Sequence, residues 1–197
     1  MIRNINILIL FITLAFNQLL AQETKTLQKK KGFLSINEIG VMLTNASALY
    51  TNSNAQALFF HSFNAYQVAP ALAVGLGLGM DSYPDRLLMP LTIGISGDIL
   101  KKNITPFYRF LIGHGYNLSK VPGNNVGFIN QDFTLGGGLV VNPAIGLKVY
   151  VADNKAFVLL LAYKYQETYT EQIVRGSSSF RQEVNFRRLA FSIGFSF

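Results

Sequence analysis

Nine residues, Leu189-Ala190-Phe191-Ser192-Ile193-Gly194-Phe195-Ser196-Phe197, constrain this chain more than any others. Large apolar side chains hold every odd position and small ones every even position. Period two is the mark of a strand whose two faces meet different surroundings. A soluble sheet would have to cover so long an apolar face with a second layer. A strand with its large residues toward lipid and its small ones toward a crowded lumen needs no such layer.

The same alternation recurs upstream. In 71–82, Leu72, Val74, Leu76, Leu78 and Met80 oppose Ala73, Gly75, Gly77, Gly79 and Asp81. In 156–166, Phe157, Leu159, Leu161, Tyr163 and Tyr165 oppose Val158, Leu160, Ala162, Lys164 and Gln166. In 105–116, Tyr108, Phe110 and Ile112 oppose Arg109 and Gly113. Further strands are expected at 33–43, 58–68, 88–99, 133–151 and 186–197, eight in all. The segment 58–68 carries aromatics in both registers, so its faces stay open. Pro143 lies inside 133–151, where proline removes a ladder donor and marks a bulge or a turn. Leu135, Leu139, Val141, Ile145, Leu147 and Val149 keep one odd register across it, so a single strand with a bulge is expected.

Connection lengths complete the pattern. Ala69-Pro70, 100–104 and 152–155 are short, whereas 44–57, 117–132 and 167–185 are long. Short turns at one end and long loops at the other are the plan of an outer-membrane barrel, and an even strand count puts both termini at the short-turn end, in the periplasm. The last long connection has strand character on both sides of Arg175-Gly176-Ser177-Ser178-Ser179, which reads as the tip of a protruding ribbon.

The N-terminus suits export. A basic start, Met1-Ile2-Arg3, precedes an apolar stretch from Ile7 to Phe16 and then Leu19-Leu20-Ala21. This reads as a signal peptide, 1–21, cleaved after Ala21, followed by a periplasmic tail, 22–32, and a barrel, 33–197. The apolar core is short for a membrane anchor, and Asn17-Gln18 interrupt it. With 14% charged residues against 50% hydrophobic, the chain is poor in charge for a soluble domain. The net charge of +7 comes with no basic stripe interleaved with aromatics, so no nucleic-acid partner is expected. Lys29-Lys30-Lys31 reads as a solvated lead-in that can touch anionic headgroups. The chain has no cysteine, which excludes disulfides, a lipoprotein anchor and Cys-based metal sites.

On the signal, the strand Gly75-Leu76-Gly77-Leu78-Gly79, the triplet Gly136-Gly137-Gly138 and the terminal Phe195-Ser196-Phe197, the chain resembles the small outer-membrane β-barrel domain family of the OmpA/OmpX kind. The resemblance covers nearly all of the mature chain. It implies an all-β, eight-stranded antiparallel transmembrane β-barrel in the outer membrane. It also implies a terminal strand read by the barrel insertion machinery, and contact with outer-membrane lipid and lipopolysaccharide. The family includes adhesion, envelope-integrity and unassigned members, so the expected role is structural or interactive. A surface protein or glycan is the possible partner, and a monomer is expected.

An outer-membrane lipid-modifying enzyme and a narrow pore are the alternatives. Lipid A deacylases of this barrel size use a lipid-facing His, Ser and Glu, which invites comparison with His61-Ser62 and His114. His61 and Ser62 are adjacent in a strand, hence on opposite faces, and His114 is followed by Gly115 and Tyr116. Gly75, Gly77 and Gly79 lack the spacing of a dinucleotide loop and suit a narrow lumen instead. No catalytic, cofactor-binding or metal-ligating set is therefore expected. Inward parity gathers Glu38, Asp81, Asp98, Arg109, Lys148, Lys164 and Arg188. Charges in a dry lumen must pair. By depth, Asp81 is expected to serve Lys164 and Arg188 near the loop end. Asp98 is expected to serve Arg109 and Lys148 near the other, with Glu38 between. These charges read as a plug of salt bridges rather than a gate.

Overall fold

Alternating residues on strands of this length can satisfy every backbone group only if the sheet closes on itself, and it does. The structure is a computed structural model that describes residues 32–44, 57–69, 71–83, 86–119, 125–126, 129–174 and 180–197. The expected signal, 1–21, and the tail up to residue 31 lie outside the described residues. The strands are β1 Gly32–Thr44, β2 Ala57–Ala69, β3 Leu72–Ser82, β4 Leu87–Asp98, β5 Ile104–Asn117, β6 Asn125–Val126, β7 Ile129–Ala152, β8 Lys155–Val174 and β9 Phe180–Ser196. Strands β1 to β5 and β7 to β9 pair antiparallel in chain order. Pairing of β9 with β1 closes the eight-stranded barrel. The two-residue β6 pairs only with the start of β7 and takes no place in the wall.

Both Gly32 and Phe197 lie at the end with the short turns, here the terminal end; the other is the loop end. At the terminal end the turn Asp153-Asn154 joins β7 to β8, and Asn154 takes a left-handed φ of 59°. Asparagine adopts that region at little cost.

The register assigns the faces. Exposed Leu72, Val74, Leu76, Leu78 and Met80 of β3 point outward, as do Leu189, Phe191, Ile193 and Phe197 at the C-terminus. Aromatic side chains bound this apolar band. Phe33, Tyr66, Phe157 and Phe197 lie toward the terminal end, and Tyr116 and Tyr163 toward the loop end. On β2, left open by the sequence, Phe59, His61, Phe63 and Gln67 face inward and Leu58, Phe60, Asn64, Tyr66 and Val68 outward. β7 is one strand, as expected, but its bulge is not at Pro143, where pairing with Phe110 stays in register. One shift falls between Gly137 and Val140 and a second between Tyr150 and Ala152; across the first, Leu135, opposite Thr170, leaves the expected register of Val141, opposite Tyr165. A Cβ on Gly137 would run into the carbonyl oxygen of Gly115, so the glycine triplet allows the close approach that the bulge needs.

Barrel closure depends on the last residue. The Ser35 amide donates to the Phe197 carbonyl at 2.7 Å, and the Phe197 amide to the Ser35 carbonyl at 3.0 Å. Removing Phe197 deletes both bonds, each worth about 0.5–1.5 kcal/mol, from the closing seam. The expected result is a lower fraction of heat-modifiable, membrane-embedded protein. Assembly equal to wild type would show that the seam does not depend on this pair.

Candidate functional site

Inward side chains fill the lumen. The apolar part of the filling includes Ile36, Met42, Phe59, Phe63, Leu88, Phe107 and Leu111. Between and beside these sit the charges that parity selected, all buried: Glu38, Asp81, Asp98, Arg109, Lys148, Lys164 and Arg188.

The central group is built on Glu38 of β1. Arg109 Nη2 donates to its Oε1 at 2.6 Å, Ser192 Oγ donates to its Oε2 at 2.8 Å, and His61 Nδ1 lies 3.5 Å from Oε1. This corrects the expected pairing of Arg109 with Asp98. The two were matched along their own strands, but Arg109 reaches across the lumen from β5 to β1, a direction that strand depth does not encode.

Toward the terminal end, Asp98 Oδ1 forms an ion pair with Lys148 Nζ at 3.0 Å, and its Oδ2 accepts from the Tyr150 hydroxyl at 2.6 Å. The Lys148 ammonium also lies 4.8 Å from the centre of the Phe107 ring. Toward the loop end, Lys164 pairs with Asp81, as expected. Arg188 was expected on Asp81 as well. Its guanidinium lies 4.3 Å over the Tyr83 ring and 4.9 Å over that of Phe186. Stacking on aromatic faces favours a cation there.

The connection between β3 and β4 caps this group. Tyr83 stacks on Phe186 at 5.0 Å and donates its hydroxyl to Gln166 Oε1 at 2.9 Å. Arg86 Nη1 donates to Thr168 Oγ1 at 3.0 Å. Sequence reasoning missed Tyr83 and Arg86, because a loop has no face parity to read. It also passed over Tyr150 and Ser192. Both share an inward register with residues it did select, Lys148 and Arg188, so parity could have found them.

The two histidines do not meet. His61 faces the lumen. His114 faces out, its ring 4.9 Å from that of Tyr116. Ser62 is on the exterior, across the wall from His61. No three acidic, histidine or cysteine side chains among the described residues cluster as metal ligands do. The exterior also carries an apolar depression of about 890 Å³, lined by Ile39, Val41, Leu58, Ile145, Leu159 and Phe191 among others. Those side chains suit hydrocarbon, so it belongs to the apolar band rather than to a polar site.

Above the wall the sheet continues as a ribbon. β7 pairs with β8 up to Gln131↔Val174, and β8 with β9 up to Gln172↔Phe180. Pairing of β9 with β1 ends at Arg188↔Thr44, so the stretch Phe180–Arg187 carries no partner strand on its other edge among the described residues. The last connection is thus a hairpin, as its composition predicted. On its surface the Arg181 guanidinium lies 4.0 Å over the Tyr169 ring.

A closed eight-stranded antiparallel wall, apolar outside and polar within, is the fold of a small outer-membrane β-barrel. The particular likeness is to the outer membrane protein OprG of Pseudomonas aeruginosa. Its crystal structure superposes with a TM-score of 0.62 at 11% identity, over 85% of this chain and 96% of that one. Designed transmembrane β-barrels match at a TM-score of 0.41 and 16% identity, over 86% and 98%. No family model and no curated protein matches the chain.

Proposed function

We propose that this protein is an outer-membrane barrel with both termini periplasmic. Its role in this reading is structural or interactive, exerted through the ribbon at the loop end. The observation that carries the reading is the β9 edge Phe180–Arg187, which pairs with no strand on its other side among the described residues, held on a barrel whose lumen is packed with paired charges. A free strand edge can add a strand from a partner, with the backbone supplying affinity and alternate side chains supplying selectivity. Tyr83 on Phe186 and Arg86 on Thr168 fix the base of the ribbon and so pre-order that edge. A surface protein or a glycan is the partner class that such an edge with exposed Arg181, Gln182, Glu183 and Asn185 suits. Outer-membrane lipid and lipopolysaccharide surround the wall, and the insertion machinery meets the C-terminal strand.

The test keeps Gln166 and Thr168, which the lumen uses, and replaces Tyr169–Glu183 by Asn-Gly, which removes the ribbon and half of the unpaired edge. Thr168 and Val184 pair across the ribbon, so a two-residue turn can join them. The barrel is expected to insert and keep its heat-modifiable mobility. The surface-binding and envelope phenotypes that separate wild type from a deletion strain are expected to disappear. Their survival in full would sink the ribbon as the functional element. Steady single-channel conductance of the wild type in planar bilayers would favour the narrow pore instead. An enzymatic role is disfavoured by the placement of His61 and His114 on opposite sides of the wall.

A further inference from the structure

Four polar side chains cluster on a largely apolar exterior, where His114 of β5 also faces outward beside Tyr116. Ser35 and Asn37 of β1 and Ser62 and Asn64 of β2 lie on the outward register and opposite one another, as Ser35↔Asn64 and Asn37↔Ser62; Asn64 is exposed, Asn37 and Ser62 are half-buried, and Ser35 lies covered beneath them. Along the strands they are bracketed by Phe33 and Tyr66 on one side and by Ile39 and Phe60 on the other, all at least half exposed. Laterally they meet Leu76 and Leu78 of β3, the middle of its apolar run, and Phe195 and Phe197 of the C-terminal strand. The matching outward positions of β4, β7 and β9 hold only apolar side chains: Leu91, Ile93 and Ile95; Leu139, Val141, Pro143, Ile145 and Leu147; Leu189, Phe191, Ile193, Phe195 and Phe197.

The four groups are already knit together. Ser35 Oγ donates to Asn64 Oδ1 at 2.9 Å, Asn37 Nδ2 to Ser35 Oγ at 3.1 Å, and Asn64 Nδ2 to Ser62 Oγ at 3.0 Å. These bonds order the side chains but do not exhaust them. The Ser62 hydroxyl hydrogen, one N–H of each amide and the Asn37 amide oxygen remain for a partner. In hydrocarbon such groups are satisfied only by another polar surface. The island carries no charge, and each of its members both donates and accepts. A second copy of the same surface, turned about a two-fold axis, therefore offers it a matching set of donors and acceptors.

We propose that the Ser35–Asn37–Ser62–Asn64 island is a self-association surface through which two copies of this barrel pair within the membrane. The proposal rests on the outer-membrane reading above, because only an apolar solvent drives these groups together. It replaces the expectation of a monomer.

The absence of native cysteine makes the test direct. A reporter Leu76→Cys on the rim leaves the island intact, and Ile145→Cys on β7 stands on a distant stretch of the wall. In isolated outer membranes, oxidation is expected to yield a covalent species of twice the monomer mass from Leu76→Cys and not from Ile145→Cys. Adding Asn37→Val and Asn64→Val to the Leu76→Cys protein is expected to lower that yield about tenfold, as loss of several hydrogen bonds across a membrane interface implies. The valine variant must still show heat-modifiable mobility. Equal cross-linking at the two reporters, yield insensitive to the valines, or a conjugate with a different protein would each overturn the proposal. Fractionation of the same cells tests the outer-membrane reading separately. A protein found in that membrane and monomeric there overturns the dimer alone, and a protein found elsewhere overturns both.

Discussion

Replacing Arg109 by leucine is expected to destabilise the barrel by about 3–5 kcal/mol, the usual cost of stripping one partner from a buried ion pair. Arg109 and Glu38 are both 2% exposed, and their contact is 2.6 Å. Without the guanidinium, the Glu38 carboxylate keeps the Ser192 hydroxyl and a histidine nitrogen at 3.5 Å, which do not neutralise it. The single change should therefore be worse than a double one. In Arg109→Leu/Glu38→Gln no charge is left behind, and the Ser192 hydroxyl still has an oxygen to bond. Replacing a whole buried pair is often close to neutral, so the double variant is expected to regain most of the loss. Urea unfolding in phospholipid vesicles, read by heat-modifiable mobility, measures both. A single variant within about 0.5 kcal/mol of wild type, the range of an inconsequential surface change, would show that the pair is not a strut.

Valine at Gly77 is the second large effect. Gly77 faces the lumen, and a Cβ there would fall against Thr92 Oγ1 and 2.8 Å from His61 Nε2. Gly79 meets the other side of the same ring, its Cβ position 2.8 Å from His61 Cδ2. The two glycines thus form the seat of the His61 imidazole. Overpacking of this kind costs about 1–3 kcal/mol or more. Removing the ring relieves that contact but leaves Thr92 Oγ1, so Gly77→Val/His61→Ala is expected to regain only part of the loss. Leu78→Val, one residue on but outside, is expected to be nearly silent. The same unfolding measurement orders the three. A Gly77→Val protein as stable as wild type would mean that the seat is not tight.

How much of this was legible in the sequence can be traced residue by residue. The glycine stripe of β3 was read as facing a narrow lumen, and His61 is what occupies the space. Lys164 found its partner Asp81 because their strands bring them to one depth. Arg109 did not go to Asp98, because its long side chain crosses the lumen to β1. The faces of β2 were not legible because Phe59 and Phe63 fill the core while Phe60 and Tyr66 face out. An aromatic suits both a packed lumen and a lipid-facing band, so its identity carries no direction. The β2 half of the polar island stayed hidden for the same reason; on β1 the inward parity of Glu38 already turns Ser35 and Asn37 outward, and pairing supplied their partners Asn64 and Ser62.

Strand number, alternation, the plan of short turns and long loops, and the inward set of charges follow from the sequence alone. They are local properties: period two needs only neighbours along the chain, and a charge on an apolar-alternating strand must take the face away from hydrocarbon. Tertiary structure decided what is shared between distant strands. It set which carboxylate each cation meets, placed the bulge at Gly137 rather than Pro143, and brought Tyr83 and Arg86 over the lumen. It also gathered four polar side chains of β1 and β2 into one patch. Those outcomes depend on closure of the wall, which fixes every register at once and brings together residues that no local pattern relates.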